Sequence, residues 1–364
     1  MKRYQLLFIV FLSLVWVLQS YSEETNSYKI NAEKLKQTFE PVLFTFSPAI
    51  QKHYAVRLYR MTGDERYVYP VIFHLFCHLR KLHYDKTGLN DPSYIQKRTE
   101  QIINHEFNLG ATNPEARRAA LVKGGDVAFY LKLSKNIDTL HGYNLLGSKV
   151  FPESDKMIEA MRQQKDKLTA FLLDEQLMKT AGAQLVNYVY YLYRIDVVDI
   201  RKQYLDGLEK ALMKGKPDSE LSKSEYTEKV YGMTHVILAA SDYYQQTVER
   251  KNFAWVFDYF EKNIEIILSR TKPDVYAEVG ICFLLAKYNK DNPALKRVKD
   301  TIVADIDPQK GMILSVKGSD NLRIGAHRNV LAIMLLNWPE SLTAGPNLKE
   351  MKKFQKLLPI QEQQ

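Results

Sequence analysis

The stretch Phe253-Ala254-Trp255-Val256-Phe257-Asp258-Tyr259-Phe260-Glu261-Lys262-Asn263-Ile264-Glu265-Ile266-Ile267-Leu268 decides the fold class. Counted from Phe253, the apolar residues Val256, Phe257, Phe260, Ile264, Ile267 and Leu268 fall at offsets of 3, 4, 7, 11, 14 and 15, the repeat of a helix with one buried stripe. The next apolar block, Ala277-Glu278-Val279-Gly280-Ile281-Cys282-Phe283-Leu284-Leu285, is apolar nearly all round behind a single carboxylate. A helix of that kind must be walled in by others. Two further blocks share its design: Thr234-His235-Val236-Ile237-Leu238-Ala239-Ala240 and Ala326-His327-Arg328-Asn329-Val330-Leu331-Ala332-Ile333-Met334-Leu335-Leu336. Each opens with an ionisable side chain, 43 residues from His235 to Glu278 and 49 from Glu278 to His327. Equivalent positions of a repeated helical hairpin are expected.

Working outward, buried helices are expected near residues 46–61, 114–134, 176–194, 226–246, 274–289 and 323–337. Each is followed by a one-sided partner, near 65–83, 154–173, 196–213, 250–270, 293–304 and 347–358. Breaker residues separate them, among them Thr62-Gly63-Asp64, Lys214-Gly215-Lys216-Pro217, Asn292-Pro293 and Gly345-Pro346. No run of strand-like alternation stands out. The expected fold is all-α, with helical hairpins closing into a toroid of about six pairs; the alternative is an open α-solenoid.

The chain has 364 residues, 46% hydrophobic and 26% charged, a globular composition with apolar mass for a large core. Its start reads as a secretory signal: Lys2-Arg3, the mostly apolar Leu6–Leu18, then Ser20 and Ser22 ahead of Glu23-Glu24. The expected division is a signal peptide at 1–22 and one helical domain at 23–364, in the periplasm or secreted. The 13 apolar residues fall short of the ~20 that span a bilayer, so no stable membrane anchor is expected. Removing 1–22 takes away two positive charges and lowers the net charge from +9 to +7. That excess suits a polysaccharide or other anionic ligand. Lys and Arg are scattered without a basic tract, so nucleic acid is not expected. An ordinary basic surface is the plain alternative, and the oligomeric state is left open.

Only Cys77 and Cys282 occur, both inside apolar helical runs. Buried free thiols are expected, with a disulfide between them left open.

The segment Leu58-Tyr59-Arg60-Met61-Thr62-Gly63-Asp64-Glu65-Arg66-Tyr67 resembles the junction that closes an inner helix and opens an outer one in α/α-toroid proteins. Asp291-Asn292-Pro293-Ala294-Leu295 and Asp307-Pro308-Gln309-Lys310-Gly311-Met312 are similar to later toroid turns. Gly232-Met233-Thr234-His235 and Gly325-Ala326-His327-Arg328-Asn329 resemble an exported bacterial family of unknown function. The toroid resemblance implies a central cavity and, often, carbohydrate chemistry.

Side chains near one end of each inner helix then point toward a common axis. Glu278, His235 and His327 are the expected catalytic residues. Substrate would be held by Tyr231, Asp274 and Arg323, each four residues earlier on the same face, by Arg328, and by Asp126 and Gln184 at aligned positions. Imidazoles and a tuned carboxyl suit proton transfer. A glycoside hydrolase would pair Glu278 with Asp274 or Asp126. A lyase would use Tyr231 or a histidine as base and Arg323 or Arg328 to neutralise a uronate. The bland reading of Glu278 is a carboxylate paired with His235, His327 or Arg328 to hold helices together. The expected activity is thus a polysaccharide hydrolase or lyase, with a non-catalytic glycan-, peptide- or protein-binding protein as the alternative.

Two histidines and a glutamate also match a zinc ligand set. Without His-Glu-x-x-His, no cofactor or metal is assigned, and zinc stays an alternative. His74, His78 and His83 read as packed or surface residues. The tyrosines at 188, 190, 191, 193, 243 and 244 suit either core packing or sugar stacking. No phosphate-cradling glycine loop, Gly-x-Ser-x-Gly elbow or Cys/His nucleophile pattern is present, which makes kinases, dinucleotide enzymes and α/β-hydrolases poor candidates.

Overall fold

The computed structural model describes residues 26–106 and 114–358; the expected signal segment at 1–22 lies outside them. Helices dominate. In chain order they are α1 (26–39), α2 (Pro48–Thr62), α3 (Val68–Thr87), α4 (Pro92–Gln101), α5 (Pro114–Gly124), α6 (Val127–Gly142), α7 (Ser154–Arg162), α8 (Lys165–Leu172) and α9 (Glu175–Arg194). There follow α10 (Arg201–Met213), α11 (Lys223–Ala240), α12 (Ala254–Lys262), α13 (Ile264–Arg270), α14 (Pro273–Leu285), α15 (Pro293–Ala304), α16 (Leu322–Leu336) and the short α17 (Lys352–Gln355). A two-stranded antiparallel ribbon, β1 (Ile306–Asp307) with β2 (Met312–Ile313), is the one sheet among the described residues. No described helix is long and apolar enough to cross a membrane.

The local chemistry explains where these helices start and stop. Pro48 opens α2, and Gly63, at φ 68°, ends it with its N–H on the Tyr59 carbonyl, the left-handed stop that glycine favours. Asp64 then accepts from the Arg66 N–H at 2.9 Å and starts the turn into α3. The junction is therefore a helix stop and a side-chain-capped restart within three residues. Ser222 and Glu225 form a reciprocal capping box on α11. Asp174, Asn292 and Asn321 cap α9, α15 and α16.

Every residue of α14 from Val275 to Leu285 is buried, and α16 is buried continuously from Asn329 to Leu336. Helix α16 packs on α14 and on α2, α14 on α11, α11 on α9, α9 on α6, α6 on α3, and α3 on α2. The α14–α16 contact is close at Gly280, where a Cβ would stand 2.6 Å from Leu335 Cδ1. Buried Asn329 fastens the ribbon to α16: its Oδ1 accepts from the Ile313 N–H at 2.8 Å, and its Nδ2 donates to the Ile313 carbonyl at 3.1 Å. The buried apolar side chains, from Ala32 to Phe354, form one cluster.

Several expectations change. The helix expected at 114–134 is interrupted at Gly125, φ 61°, so that α6 starts afresh at Val127. The segment 250–270 is two helices meeting at Asn263, and 347–358 holds little more than α17. Helix α11 stops at Ala240 instead of running to 246, because Asp242, Tyr243 and Tyr244 take positive φ values of 50°, 49° and 75°. Helices α1 and α4 lie outside the expected pairs. Cys77 is exposed, contrary to the buried thiol expected, and both cysteines are free.

Candidate functional site

Glu278 sits in the second turn of α14, 2% exposed and turned toward α11. Thr234 Oγ1 donates to its Oε2 at 2.8 Å and is also 2.9 Å from the Tyr231 carbonyl. One hydroxyl carries one proton and cannot donate to both. A proton on Glu278 resolves the conflict, because the carboxyl then donates to Oγ1 and the hydroxyl to the carbonyl. Burial drives the same result, pushing Glu278 up to about 8 against the Thr234 hydrogen bond, with Asp274 adding to the shift and Arg57 opposing it. At neutral pH Glu278 is a buried carboxylic acid.

His235 stands beside it, Nδ1 3.7 Å from Glu278 Oε2. That spacing is too long for a hydrogen bond. Nδ1 instead lies 3.1 Å from the Tyr231 carbonyl, an acceptor only, which places the proton on Nδ1 and leaves Nε2 its lone pair. Burial brings His235 down to about 3, against the pull of that carbonyl, with His327 and Arg57 lowering it further. Burial favours a neutral imidazole beside a neutral acid in this pair.

His327 on α16 faces His53 on α2, ring centroids 4.7 Å apart and edge to face. Burial is the largest cause lowering both; His327 falls to about 3 and His53 well below its ordinary value, and Arg57 is the next cause for each. Both rings are nevertheless half-buried, and neither makes a hydrogen bond among the described residues. The two rings are thus enclosed by protein yet partly reachable.

Arg57, four residues after His53 on the same face of α2, is the hub. Only 5% exposed, it donates from Nη1 to the His53 carbonyl at 2.9 Å and from Nη2 to the Tyr244 hydroxyl at 3.4 Å. It also lies 5.3 Å from the centre of the Tyr244 ring. Its Nε has no partner, and no carboxylate pairs with it among the described residues. Its charge acts on His53, His235, His327 and Glu278 alike. A buried cation without a counter-charge is costly unless a ligand supplies one.

The left-handed turn 242–244 carries two of the aromatic walls. Tyr244 meets Arg57, and the Tyr243 hydroxyl donates to Asn187 Oδ1 on α9 at 2.6 Å. Positive φ at three successive non-glycine residues is strained. The turn is held by Arg194, which grips Asp138 on α6 through two bonds of 2.7 and 2.8 Å and Asp242 at 3.0 Å. Tyr191 packs on this clamp, 5.3 Å below the Arg194 guanidinium, while Tyr190 and Tyr193 face Arg201 on the other side of α9.

Among the residues singled out from the sequence, Glu278, His235, His327, Tyr231 and Asp274 come together. The Tyr231 ring lies 4.1 Å from that of His235, and Asp274 raises the Glu278 carboxyl. Arg328 is half-buried beside His327, its Nε and Nη2 unpartnered. Gln184 is half-buried on α9. Arg323 is exposed at the start of α16, and Asp126 pairs with Lys167 near the surface, so neither belongs to the cluster. His53, Arg57 and Thr234 were missed. The 53/57 spacing on a helix already expected to be buried was the available signal.

His78 is buried against the Asn136 carbonyl at 3.0 Å, stacked with His74. Among the described residues no three His, Cys, Asp or Glu side chains are placed to hold a metal ion. The His235 Nδ1–H facing the Tyr231 carbonyl suits hydrogen bonding and not ligation through that atom.

The sequence pattern of a family described as Domain of unknown function (DUF3541) matches residues 28–363, and the chain belongs to that family. No curated protein and no solved structure matches it.

Proposed function

We propose that the protein is an exported polysaccharide lyase whose cleft takes an acidic sugar, with Arg57 holding the uronate carboxylate. The observation that carries this is the buried, carboxylate-free Arg57 guanidinium beside reachable neutral imidazoles and a protonated Glu278. The order of helix pairings, from α2 through α16, α14, α11, α9, α6 and α3 back to α2, supports a closed α/α ring around that cleft over an open array.

β-Elimination needs three groups. A base removes the C5 proton, made acidic by the adjacent carboxylate. The electron pair forms the C4–C5 double bond as the C4–O bond breaks, and the leaving oxygen takes a proton from an acid. His327 or His53 is the base and Glu278 the acid. Tyr231 is a poorer base, since burial, followed by the nearby Glu278, raises its phenol well above the ordinary value. Both imidazoles are weak bases in the empty cleft, partly because of Arg57. A substrate carboxylate on Arg57 cancels that field and returns them toward neutrality, where a general base works best. Hydrolysis fits less well, because Glu278 and Asp274 share one helix, four residues apart, and do not flank a bond from two sides.

Acidic polysaccharides incubated with the protein should yield unsaturated uronate ends absorbing in the ultraviolet. Arg57→Met should abolish binding, while Glu278→Gln and His327→Ala should keep binding and lower turnover at least a hundredfold. Binding of acidic glycan without cleavage, unchanged in Glu278→Gln, would instead support the non-catalytic reading. Neither binding nor cleavage across uronate-containing polymers would end the carbohydrate reading.

A further inference from the structure

A cavity lies at the C-terminal ends of α14 and α16, away from the Arg57 cluster. It measures about 310 Å³ and is bounded by Tyr28, Lys290, Lys296, Lys299, Leu336 and Trp338, at the lower end of small-molecule sites. Leu284 and Leu336, which also line it, follow Glu278 and His327 by six and nine residues. At about 1.5 Å per residue the two sites are roughly 9 to 13 Å apart along the helix axes.

Lys299 is its distinctive member. On α15 and only 8% exposed, its ammonium makes no hydrogen bond or ion pair among the described residues. It rests 5.3 Å from the centre of the Tyr28 ring. Burial lowers it first and neighbouring Lys290 second, against a weaker pull from Asp300. Asp300 is engaged elsewhere, accepting from the Tyr28 hydroxyl at 2.6 Å and lying 3.9 Å from Lys296. Lys29 adds a fourth ammonium to the lining, against the exposed carboxylates Asp291 and Glu340. Trp338, on the loop that follows α16, is half-buried.

A mostly buried lysine whose ammonium faces a cavity with no ion-pair partner among the described residues favours an anion there. An indole and a phenol ring beside it suit the C–H face of a sugar. We infer that this cavity is a binding site for an anionic saccharide unit, the ammonium of Lys299 meeting its carboxylate, sulfate or phosphate group and Trp338 its ring. The site needs no assumption about the chemistry of the Arg57 cleft.

The test is calorimetric titration, with tryptophan fluorescence in parallel, using D-glucuronate, glucose 6-sulfate and glucose 6-phosphate as probes and glucose and inorganic phosphate as controls. At least one anionic sugar should bind at millimolar concentration or tighter and outbind both controls tenfold. Lys299→Met, which keeps the aliphatic stem, should weaken it at least tenfold without moving the melting temperature, and Lys299→Arg should restore part of the loss. Trp338→Phe should remove the fluorescence change. Arg57→Met should leave this binding intact, which separates failure here from failure of the lyase reading. No binding by any probe, equal binding of glucose or inorganic phosphate, or unchanged affinity in Lys299→Met would overturn the inference.

Discussion

Exchanging the Glu278 carboxyl for an amide removes its titration while keeping its shape, and pH decides what that does. A carboxyl raised in the folded state to about 8 stabilises fully below its unfolded value and loses that contribution as pH climbs through the folded one. Stability should fall by up to about 1.4 kcal/mol per pH unit across that window from this group alone. His53, His74, His78, His235 and His327 are lowered on folding. They stabilise above their unfolded value near 6.5 and withdraw that support as pH falls below it. The five histidines outweigh one carboxyl on the acid side, so the optimum is expected near pH 6.5. Urea melts should show wild-type stability falling between pH 6.5 and 8, a fall that Glu278→Gln flattens. The same loss in the variant would mean that Glu278 is already ionised at neutral pH. The reactive residue types at 235, 278 and 327 were readable because each interrupts an apolar run. Their protonation states were not, since these depend on Thr234, Arg57 and burial contributed by other helices.

Among elements, the α14–α16 contact offers a direct test of packing. A methyl on Gly280 would meet Leu335 Cδ1 at 2.6 Å and Val298 Cγ1 at 3.1 Å. Gly280→Ala should therefore lose about 1–3 kcal/mol through overpacking, even though alanine favours helix over glycine. A thermal melt with Tm raised would show that α14 and α16 are looser than this. Helices α9 and α16 were legible to within a residue at each end, whereas α14 stops at Leu285, four residues before the expected 289. The left-handed turn at 242–244 was not legible. Tyr243 and Tyr244 continue the apolar pattern of α11, and the turn is held in that conformation by partners from other helices, Arg194 on Asp138 and Asp242, Asn187 on Tyr243 and Arg57 on Tyr244, besides its local bonds.

At the scale of the whole molecule, the proposed ring gives every inner helix two neighbours. A chain ending at Asp320, without α16, would expose α2 and α14 together. Loss of the cooperative unfolding transition and of the near-ultraviolet circular dichroism is expected, because a ring with a missing segment leaves two apolar faces bare. An open array would keep its remaining repeats folded as a shorter stack, and a truncated chain that still unfolds cooperatively would favour that architecture.

Helical content, the difference between one-sided and fully buried helices, and the hairpin stop at Gly63-Asp64 are properties of local sequence, because periodicity and capping act within a few residues. The polar residues that open the apolar runs were visible for the same reason. What only the tertiary structure decided is that Arg57 and His53, from the first hairpin, enter a cluster built by α11, α14 and α16 some 180 to 270 residues later. It also decided that Arg323 and Asp126 stay outside that cluster, and that Lys299 is mostly buried without an ion-pair partner among the described residues. Charge pairing and desolvation are set by neighbours in space, and those neighbours come from the packing of separate helices.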